Sequence, residues 1–476
     1  MYFLFINKTL TERLTFPMRK IVQSAPCFFL NLTSDQKIIS QYRDKYNSID
    51  RQLDKNPAIL NMFHKDLRRF GSSSGRGAHY SSEQVLRMCI VMFIEQLSLR
   101  DTIIRVAESD FLRNFTRIGM GKVMSFALLC DAFKVVKEST WKKINDTLLT
   151  QAYQEKKISG ERLRIDSTVC ETNIHYPTDT SLLWDVYRVI SRLIQQCNEL
   201  EPRWNMGNRF HIKKIKRLYT YISTHANKQN KSTKRNVKNY CRTLVQRVDS
   251  ICTTGAVYSA HARKTPTLDF GADGLLTELE QYVELGKKVV VQSSRSIICE
   301  EKVPASERIF SIFEEHTELF KRGKSRKPYE FGHLVTLGQT AEKVISFYNV
   351  ASKSQHDTAL KDIALESHGK SFGQYPREFT ADKNYYTSMQ DITEWEKNID
   401  CVAIGKKGRR NQVEYEREHS DVFMNLQKFR AGIEGTISVL KRAFGLRRCR
   451  FKGFKGFAAA VGCLVFCHNL VLLARL

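Results

Sequence analysis

Residues 162–169, RLRIDSTV, decide the fold class of this chain, because the spacing of the apolar residues changes there. Upstream of this stretch, apolar residues recur at the three- and four-residue spacing of helices. Within it, Leu163 and Ile165 alternate with Arg164 and Asp166. The alternation predicts a β-strand with Asp166 on the face opposite the two apolar residues.

The sequence after this strand predicts an α/β order. A mostly helical stretch follows from about residue 181 to 318, and further strands come after it. These strands are predicted at 331–337, 344–350, 378–382 and 401–404. A long helix that carries Glu434 follows the last strand. We therefore predict an α/β fold, in which a large helical insertion follows the first strand of a mixed sheet.

Three parts of the chain are predicted to fold differently. Residues 1–75 are an N-terminal segment and linker, and residues 76–158 are an all-helical domain. This domain can bind DNA ends, or it can serve as a packing or dimerisation module. Residues 159–476 form the catalytic domain, with a basic helical insertion at about 181–325.

The charge of the chain predicts a polyanionic partner. Its 76 basic and 50 acidic residues leave a net charge of +26. Residues 203–248 contain thirteen Lys or Arg and no acid, with aromatic residues between them, which favours contact with nucleic acid. The candidate DNA-binding residues in this stretch are Lys213, Lys214, Lys216 and Arg217.

The cysteines and the two ends of the chain favour a cytoplasmic, nucleoid-associated protein without a membrane span. The twelve cysteines form no CxxC pair, so no zinc ribbon or disulfide framework is indicated. The apolar segment 457–476 is long enough to span a membrane, but its polar residues favour a core helix. The N-terminus is a weak export signal, and either Met1 or Met18 is the start.

Three acids form the candidate catalytic site. Asp166 and Asp382 lie at the ends of predicted strands, where open α/β folds bind ligands, and a helix packed there can bring Glu434 to the same point. Three carboxylates can hold two Mg²⁺ (or Mn²⁺) ions for displacement at phosphate. Asp357 is an alternative third ligand, ranked below Glu434 because acids in loops often cap the next helix.

Cations surround Glu434 on its helix. Arg430, Glu434 and Lys441 share one polar stripe at four- and three-residue spacing. A basic tail of Arg447, Arg448 and Arg450 follows directly, with no acid among its residues. The stretch combines a candidate metal ligand with a candidate phosphate-binding surface.

From about Tyr80 to Leu470 the chain resembles the DDE transposases of bacterial insertion sequences, of the insertion-sequence four/five-like group. DSTVCETNIHYPTDTSLLWD, TADKNYY and RAGIEGTISVLKRAFGLRRCRFKGFKG resemble the three catalytic blocks of that family. Two positions depart from it: Gln427 stands where the family has Tyr, and Asn384 stands where many relatives have Gly. Since Asn tolerates positive φ, the turn at Asn384 is expected to be retained.

The resemblance implies an RNase H-like catalytic core and a metal-dependent transposase. Such an enzyme cleaves DNA at the ends of its element and joins the 3′-hydroxyl to target DNA, in a synaptic homo-oligomer. It also implies that Arg430 and Lys441 contact DNA phosphates. Two other hypotheses remain open, a catalytically silent DNA-binding protein derived from a transposase and a different RNase H-like nuclease.

Overall fold

The fold is described from a computed structural model of the chain. The structure describes residues 36–68, 79–265, 267–321, 328–351 and 357–476. The linker composition at 71–77 and the choice between Met1 and Met18 lie outside these residues.

Seven helices precede the first strand in the described residues. They are α1 (Lys37–Asp54), α2 (Pro57–Leu67), α3 (Ser82–Ile94), α4 (Leu99–Ala107), α5 (Asp110–Phe115), α6 (Phe126–Val135) and α7 (Glu138–Gln154). The sequence Ser81-Ser82-Glu83-Gln84 predicts a capping box, and this box is present. The Ser81 hydroxyl accepts a hydrogen bond from the Gln84 N–H, and the Gln84 side chain accepts one from the Ser81 N–H.

Strands and helices alternate in the rest of the chain. In order they are β1 (Arg162–Thr172), α8 (Asp179–Leu200), α9 (Ile212–His225), α10 (Lys231–Arg263), α11 (Phe270–Ser293), β2 (Glu318–Lys321), β3 (Tyr329–Thr340), β4 (Ile345–Val350), α12 (Asp357–Phe372), β5 (Glu378–Ala381), α13 (Met389–Trp395), β6 (Cys401–Ile404), α14 (Gln412–Glu418), α15 (Asp421–Ala443), β7 (Arg448–Cys449) and α16 (Gly453–Leu473). The predicted α/β class is confirmed.

The sheet is mixed. Strands β3, β1, β5 and β6 lie side by side in this order, β4 pairs with β3, and β7 pairs with β1. β4 is antiparallel to β3, whereas β5 is parallel to β1 and β6 is parallel to β5. Consequently β1, β5 and β6 point their carboxyl ends to the same edge of the sheet.

The chain divides into two compact units. The first contains Met1–Glu171 and His333–Leu476, and the second contains Thr172–Gly332. In the second unit, α8 to α11 pack around a core of their own, and β2 pairs with the first residues of β3. The N-terminal helices share one core cluster with α16, β3 and β4 in the first unit. The predicted domain boundaries stay a prediction.

Helix α16 lies in the core of the first unit. It is the one helix in the described residues that is long and apolar enough to cross a membrane, and 89% of its most apolar window is buried inside the protein. Cys463, Cys467 and His468 on this helix are buried, and burial lowers the pKa of His468 to about 4. These contacts fit a core helix, and the absence of a membrane partner stays a prediction.

Some elements differ from the prediction. β2 lies in the insertion predicted as helical, because its apolar residues Leu319 and Phe320 are adjacent and give no alternating pattern. α1 and α2 lie in a segment predicted as mixed, although Tyr46, Ile49 and Leu53 are buried at helical spacing. The other predicted strands match β3, β4, β5 and β6.

Candidate active site

Asp166 and Asp382 lie at the same level on neighbouring strands. β1 and β5 are parallel, and Ile165 pairs with Ala381 in their register. Asp166 and Asp382 each follow directly after this pair. Asp382 comes just after the end of β5, whereas Asp166 lies within β1, so the prediction that Asp166 ends its strand is wrong. Since paired strands lie about 4.8 Å apart, the two aspartates come together at one point of the sheet.

The segment after Asp382 is hydrogen-bonded to β1. Residues Lys383–Tyr385 form one turn of 3₁₀-helix, and the Tyr385 hydroxyl lies 2.6 Å from the Ser167 hydroxyl. Ser167 also bonds to the Thr336 hydroxyl at 2.8 Å. Asn384 is described, and it is not among the residues that have a positive φ. This turn therefore does not use the left-handed backbone conformation that a Gly at this position would favour.

Helix α15 is held on the sheet by a buried arginine. Arg164 precedes Asp166 by two residues and so lies on the same face of β1. Its Nη1 donates to the carbonyl oxygen of Phe429, and its guanidinium carbon lies 4.4 Å from the centre of the Phe429 ring. Gly432 packs directly against Nη1, where a Cβ would collide. The helix therefore fits the sheet closely just before Glu434.

Gln339 on β3 connects Arg164 to the other side of Glu434. Its Oε1 accepts hydrogen bonds from Arg164 Nε at 2.9 Å and Nη2 at 2.6 Å, and its Nε2 donates to the Thr436 hydroxyl at 2.7 Å. Burial lowers the pKa of Arg164 to about 10, which leaves the guanidinium charged at neutral pH. Helix α15 is thus held through the Phe429 carbonyl oxygen and the Thr436 hydroxyl, on both sides of Glu434.

Gln427 connects α15 to the neighbouring strands. Its Nε2 donates to the carbonyl oxygen of Ala403 at 2.8 Å, and Arg430 Nε donates to its Oε1 at 3.2 Å. Gln427 therefore orients Arg430 as well as the helix.

The charges of the predicted site residues act on Asp166. Burial raises the pKa of the Asp166 carboxyl, and the nearby negative charges of Asp382 and Glu434 raise it further. The hydrogen bond from the Ser167 N–H, at 2.7 Å, and the positive charge of Arg430 lower it. Asp382, Glu434 and Arg430 thus each lie within electrostatic reach of Asp166.

The three acids differ in exposure. Asp166 and Asp382 are half-buried, and Glu434 is exposed. Among the described residues, no three His, Cys, Asp or Glu side chains are arranged as a group that could hold a metal ion. Their oxygen donors nevertheless suit Mg²⁺ or Mn²⁺, and the repulsion felt by Asp166 is of the kind that a divalent cation relieves.

The other predicted DNA-binding residues occupy two surfaces, one in each unit. In the first unit, Arg447, Arg448 and Arg450 are exposed after α15, and Arg448 also pairs with Glu171 at 3.2 Å. Lys441 is half-buried on α15, and its positive charge lowers the pKa of the Cys170 thiol against the larger effect of burial.

In the second unit, the basic residues of α9 are exposed on one side of the helix. These are Lys213, Lys214, Lys216 and Arg217. Ile215 and Ile222 on the same helix are buried, so α9 packs by its apolar side and turns its cations to solvent.

Two residues that shape the site were not predicted from sequence. Arg164 appeared only as a polar position of an alternating strand, and Tyr385 only as part of a block. An arginine in a strand flanked by apolar residues is a weak signal of burial. Its hydrogen-bond partners at Gln339 and Phe429 are 175 and 265 residues away, so only the fold brings them together.

Carboxylates that lie close together can hold divalent cations, and such ions can act on phosphate groups. Residues 310–470 match the family model of the transposase DDE domain. The comparisons with curated proteins and with solved structures found no significant match.

The resemblance to DDE transposases is thus confirmed for about a third of the chain. The matched range contains Asp382, Glu434 and the basic residues after α15, whereas Asp166 precedes it. A transposase DDE domain implies DNA as a partner and a function related to transposition.

Proposed function

We propose that this protein is a metal-dependent transposase. It cleaves DNA strands at the ends of an insertion sequence of the four/five-like group and transfers the 3′-hydroxyl to target DNA. The observation that carries the proposal is the position of Asp166 and Asp382 side by side on β1 and directly after β5, together with the influence of Glu434 on Asp166. The match to the transposase DDE domain supports the same class of reaction.

The fold supports an RNase H-like core. Its central strands β1, β5 and β6 are parallel, and β3 and β4 form an antiparallel pair on the other side of β1. The helices α8 to α11 of the second unit follow β1, where a large helical insertion was predicted.

Mg²⁺ or Mn²⁺ is the proposed cofactor, with Asp166, Asp382 and Glu434 as its ligands. Two such ions would activate the attacking oxygen and stabilise the leaving oxygen at the phosphate. The protein contributes the position of the acids: the β1–β5 register sets Asp166 beside Asp382, and the Arg164 contacts hold Glu434 near them. Asp357 begins α12, but its side chain lies outside the described residues, so the choice between Asp357 and Glu434 stays a prediction.

The cations are proposed to hold the DNA. Arg430, oriented by Gln427, would contact a phosphate near the cut, and Lys441 another. The basic residues after α15 and the exposed cations of α9 would bind further along the backbone. A synaptic homo-oligomer and a cytoplasmic, nucleoid-associated location complete the proposal.

The test uses purified protein, Mg²⁺ and a DNA fragment that carries the terminal inverted repeats flanking the coding sequence. We expect wild type to nick this DNA and to join the strand to target DNA. Asp382→Asn should lower the cleavage rate roughly 100-fold or more, because a lost metal ligand removes several kcal/mol of stabilisation. Asp400→Asn is the matched control. Asp400 is exposed and comes just before the first residue of β6, whereas the candidate site lies at the carboxyl end of that strand.

A catalytically silent DNA-binding protein is the second candidate. The exposure of Glu434 and the lack of a three-acid ligand group among the described residues favour it. It predicts that wild type and Asp382→Asn bind the ends equally and that neither cuts. A different RNase H-like nuclease would cut without dependence on the terminal repeats and without joining strands.

A further inference from the structure

A basic loop leaves the sheet next to the two aspartates. We define it as residues 405–411, GKKGRRN, which connect β6 to α14. β6 is parallel to β5, and Ile404 pairs with Ala381. The residues that follow this pair, Gly405 and Asp382, therefore lie at the same level, about 4.8 Å apart across the sheet.

Two acids of α14 fix the base of the basic loop. Glu414 receives the Lys406 ammonium at 2.7 and 2.8 Å. Glu418 accepts hydrogen bonds from the Lys406 N–H at 2.7 Å and from Arg410 Nε at 2.6 Å. The inner cations of the loop, Lys406 and Arg410, are thus neutralised within the protein.

The capping of α14 gives the loop a defined end. Asn411 forms a capping box with Glu414, in which each side chain bonds to the backbone N–H of the other residue. Glu414 is itself buried, whereas its partner Lys406 is half-buried and Asn411 is exposed. The loop is therefore anchored at both of its ends.

The outer cations of the basic loop have no such partner. Lys407 and Arg409 are exposed, and neither forms an ion pair with another described residue. Between them Gly408 has φ of +87°, a conformation that lets the chain turn back and that residues with a Cβ adopt at a cost. The turn presents Lys407 and Arg409 at the tip of an anchored loop.

We propose that Lys407 and Arg409 bind the phosphate backbone of duplex DNA beside the candidate active site. The proposal rests on the proposed function for the identity of the partner. Lys407 and Arg409 lie two and four positions after Gly405, which allows a reach of about 10 Å beyond the sheet edge. The tip can therefore contact phosphates close to those that approach Asp166 and Asp382. Because the acids of α14 neutralise only the inner cations of the loop, the positive charges of Lys407 and Arg409 remain available to a polyanion.

The test measures how salt affects binding to a fluorescein-labelled 30-bp duplex of random sequence. The full-length protein is titrated in EDTA at several KCl concentrations, and log K is plotted against log salt concentration. Each phosphate contact contributes about 0.9 to the slope, so Lys407→Ala/Arg409→Ala should flatten it by about 2. Affinity at 0.1 M salt should fall roughly 10- to 100-fold.

Two variants serve as controls. Lys407→Arg/Arg409→Lys keeps both charges and should retain the wild-type slope. Lys37→Ala/Arg51→Ala removes two exposed cations from α1, a helix that packs against α2, α5 and α16, and should change the slope by less than half as much. An unchanged slope for the alanine variant of the tip, or an equal change for the α1 variant, overturns the proposal.

The assay separates this proposal from the proposed function. Binding in EDTA does not require strand cleavage, so a catalytically silent protein gives the same result if the loop binds DNA. Conversely, suppose that DNA cleavage depends on Asp382 but the Lys407→Ala/Arg409→Ala variant keeps the wild-type salt slope. This result overturns only the role of the basic loop and leaves the proposed function intact.

Discussion

Gly432 on α15 packs directly against the buried guanidinium of Arg164 on β1. A side chain of any size at Gly432 would collide with Nη1, the atom that donates to the Phe429 carbonyl oxygen. Only about 4% of Arg164 is exposed, and its hydrogen bonds go to uncharged acceptors. The contact thus sets how closely the helix that carries Glu434 approaches the strand that carries Asp166.

The first prediction concerns this contact. Gly432→Ala should lower the free energy of unfolding by about 1–3 kcal/mol, because the added methyl group forces α15 away from Arg164. The same change at Gly435, three residues on, meets no atom within 4 Å. Gly435→Ala should stabilise the protein by up to about 1 kcal/mol through helix propensity. Urea unfolding measures both, and equal effects at the two positions would contradict the close contact.

The second prediction concerns divalent ions. The negative charges of Asp382 and Glu434 disfavour the ionised form of Asp166. Mn²⁺ at about 100 times its dissociation constant should therefore stabilise wild type by about 2.7 kcal/mol. Asp166→Asn should lose most of this gain, whereas the exposed Asp400→Asn should keep it. Thermal unfolding with Mn²⁺ and with EDTA measures the difference, and an equal shift for all three proteins would contradict metal binding by Asp166.

The third prediction concerns Gln427. Its side chain bonds to the Ala403 carbonyl oxygen and receives Arg430 Nε. Gln427→Ala should cost about 1 kcal/mol of stability, a typical value for a hydrogen bond. Cleavage should fall roughly 10-fold, because an unoriented Arg430 loses about 1.4 kcal/mol of transition-state contact. The neighbouring exposed Lys428 is the control. Lys428→Ala should lower the free energy of unfolding and the cleavage rate by less than Gln427→Ala does.

The fourth prediction concerns pH. Burial raises the pKa of Asp146 on α7 to about 6, against the opposing charge of Lys142. A raised folded-state pKa gives stability that is present below the unfolded value and lost as pH rises through the folded value. The ionised carboxylate should thus cost about 2–3 kcal/mol above pH 7.

Asp146→Asn removes this ionisation. Its stability relative to wild type should rise as pH increases from 4 to 7 and then stay constant. Urea unfolding across this range checks the trend, with Asp400→Asn as the exposed control. If the difference in free energy of unfolding between Asp146→Asn and wild type did not change with pH, the pKa of Asp146 would not be raised in the folded protein.

Much of the catalytic domain could be predicted because its signals are local. The alternation around Leu163 and Ile165 predicted β1, and the four- and three-residue spacing of polar residues predicted the helix of Glu434. Such patterns depend on the period of one element and need no knowledge of its neighbours.

The basic loop and the role of Arg164 could not be predicted in this way. Lys406, Lys407, Arg409 and Arg410 are alike in sequence. The acids of α14 distinguish them, since Glu414 and Glu418 bind the first and the last and leave the middle two exposed. A partner several residues away, on another element, is visible only in the fold.

The sequence by itself determined the class of fold, the order of most strands and the identity of three candidate acids. Periodicity and residue chemistry are local properties that can be read from neighbouring residues. Tertiary structure alone decided that Asp166 and Asp382 lie side by side, since the register of β1 with β5 joins residues more than 200 positions apart. It also decided that Arg164 is buried under Gly432 and that Gly405, the first residue of the basic loop, follows a strand paired with β5 and so lies beside Asp382. Hydrogen bonds between strands and the packing of α15 on the sheet set these distances, and neither is a property of any single segment.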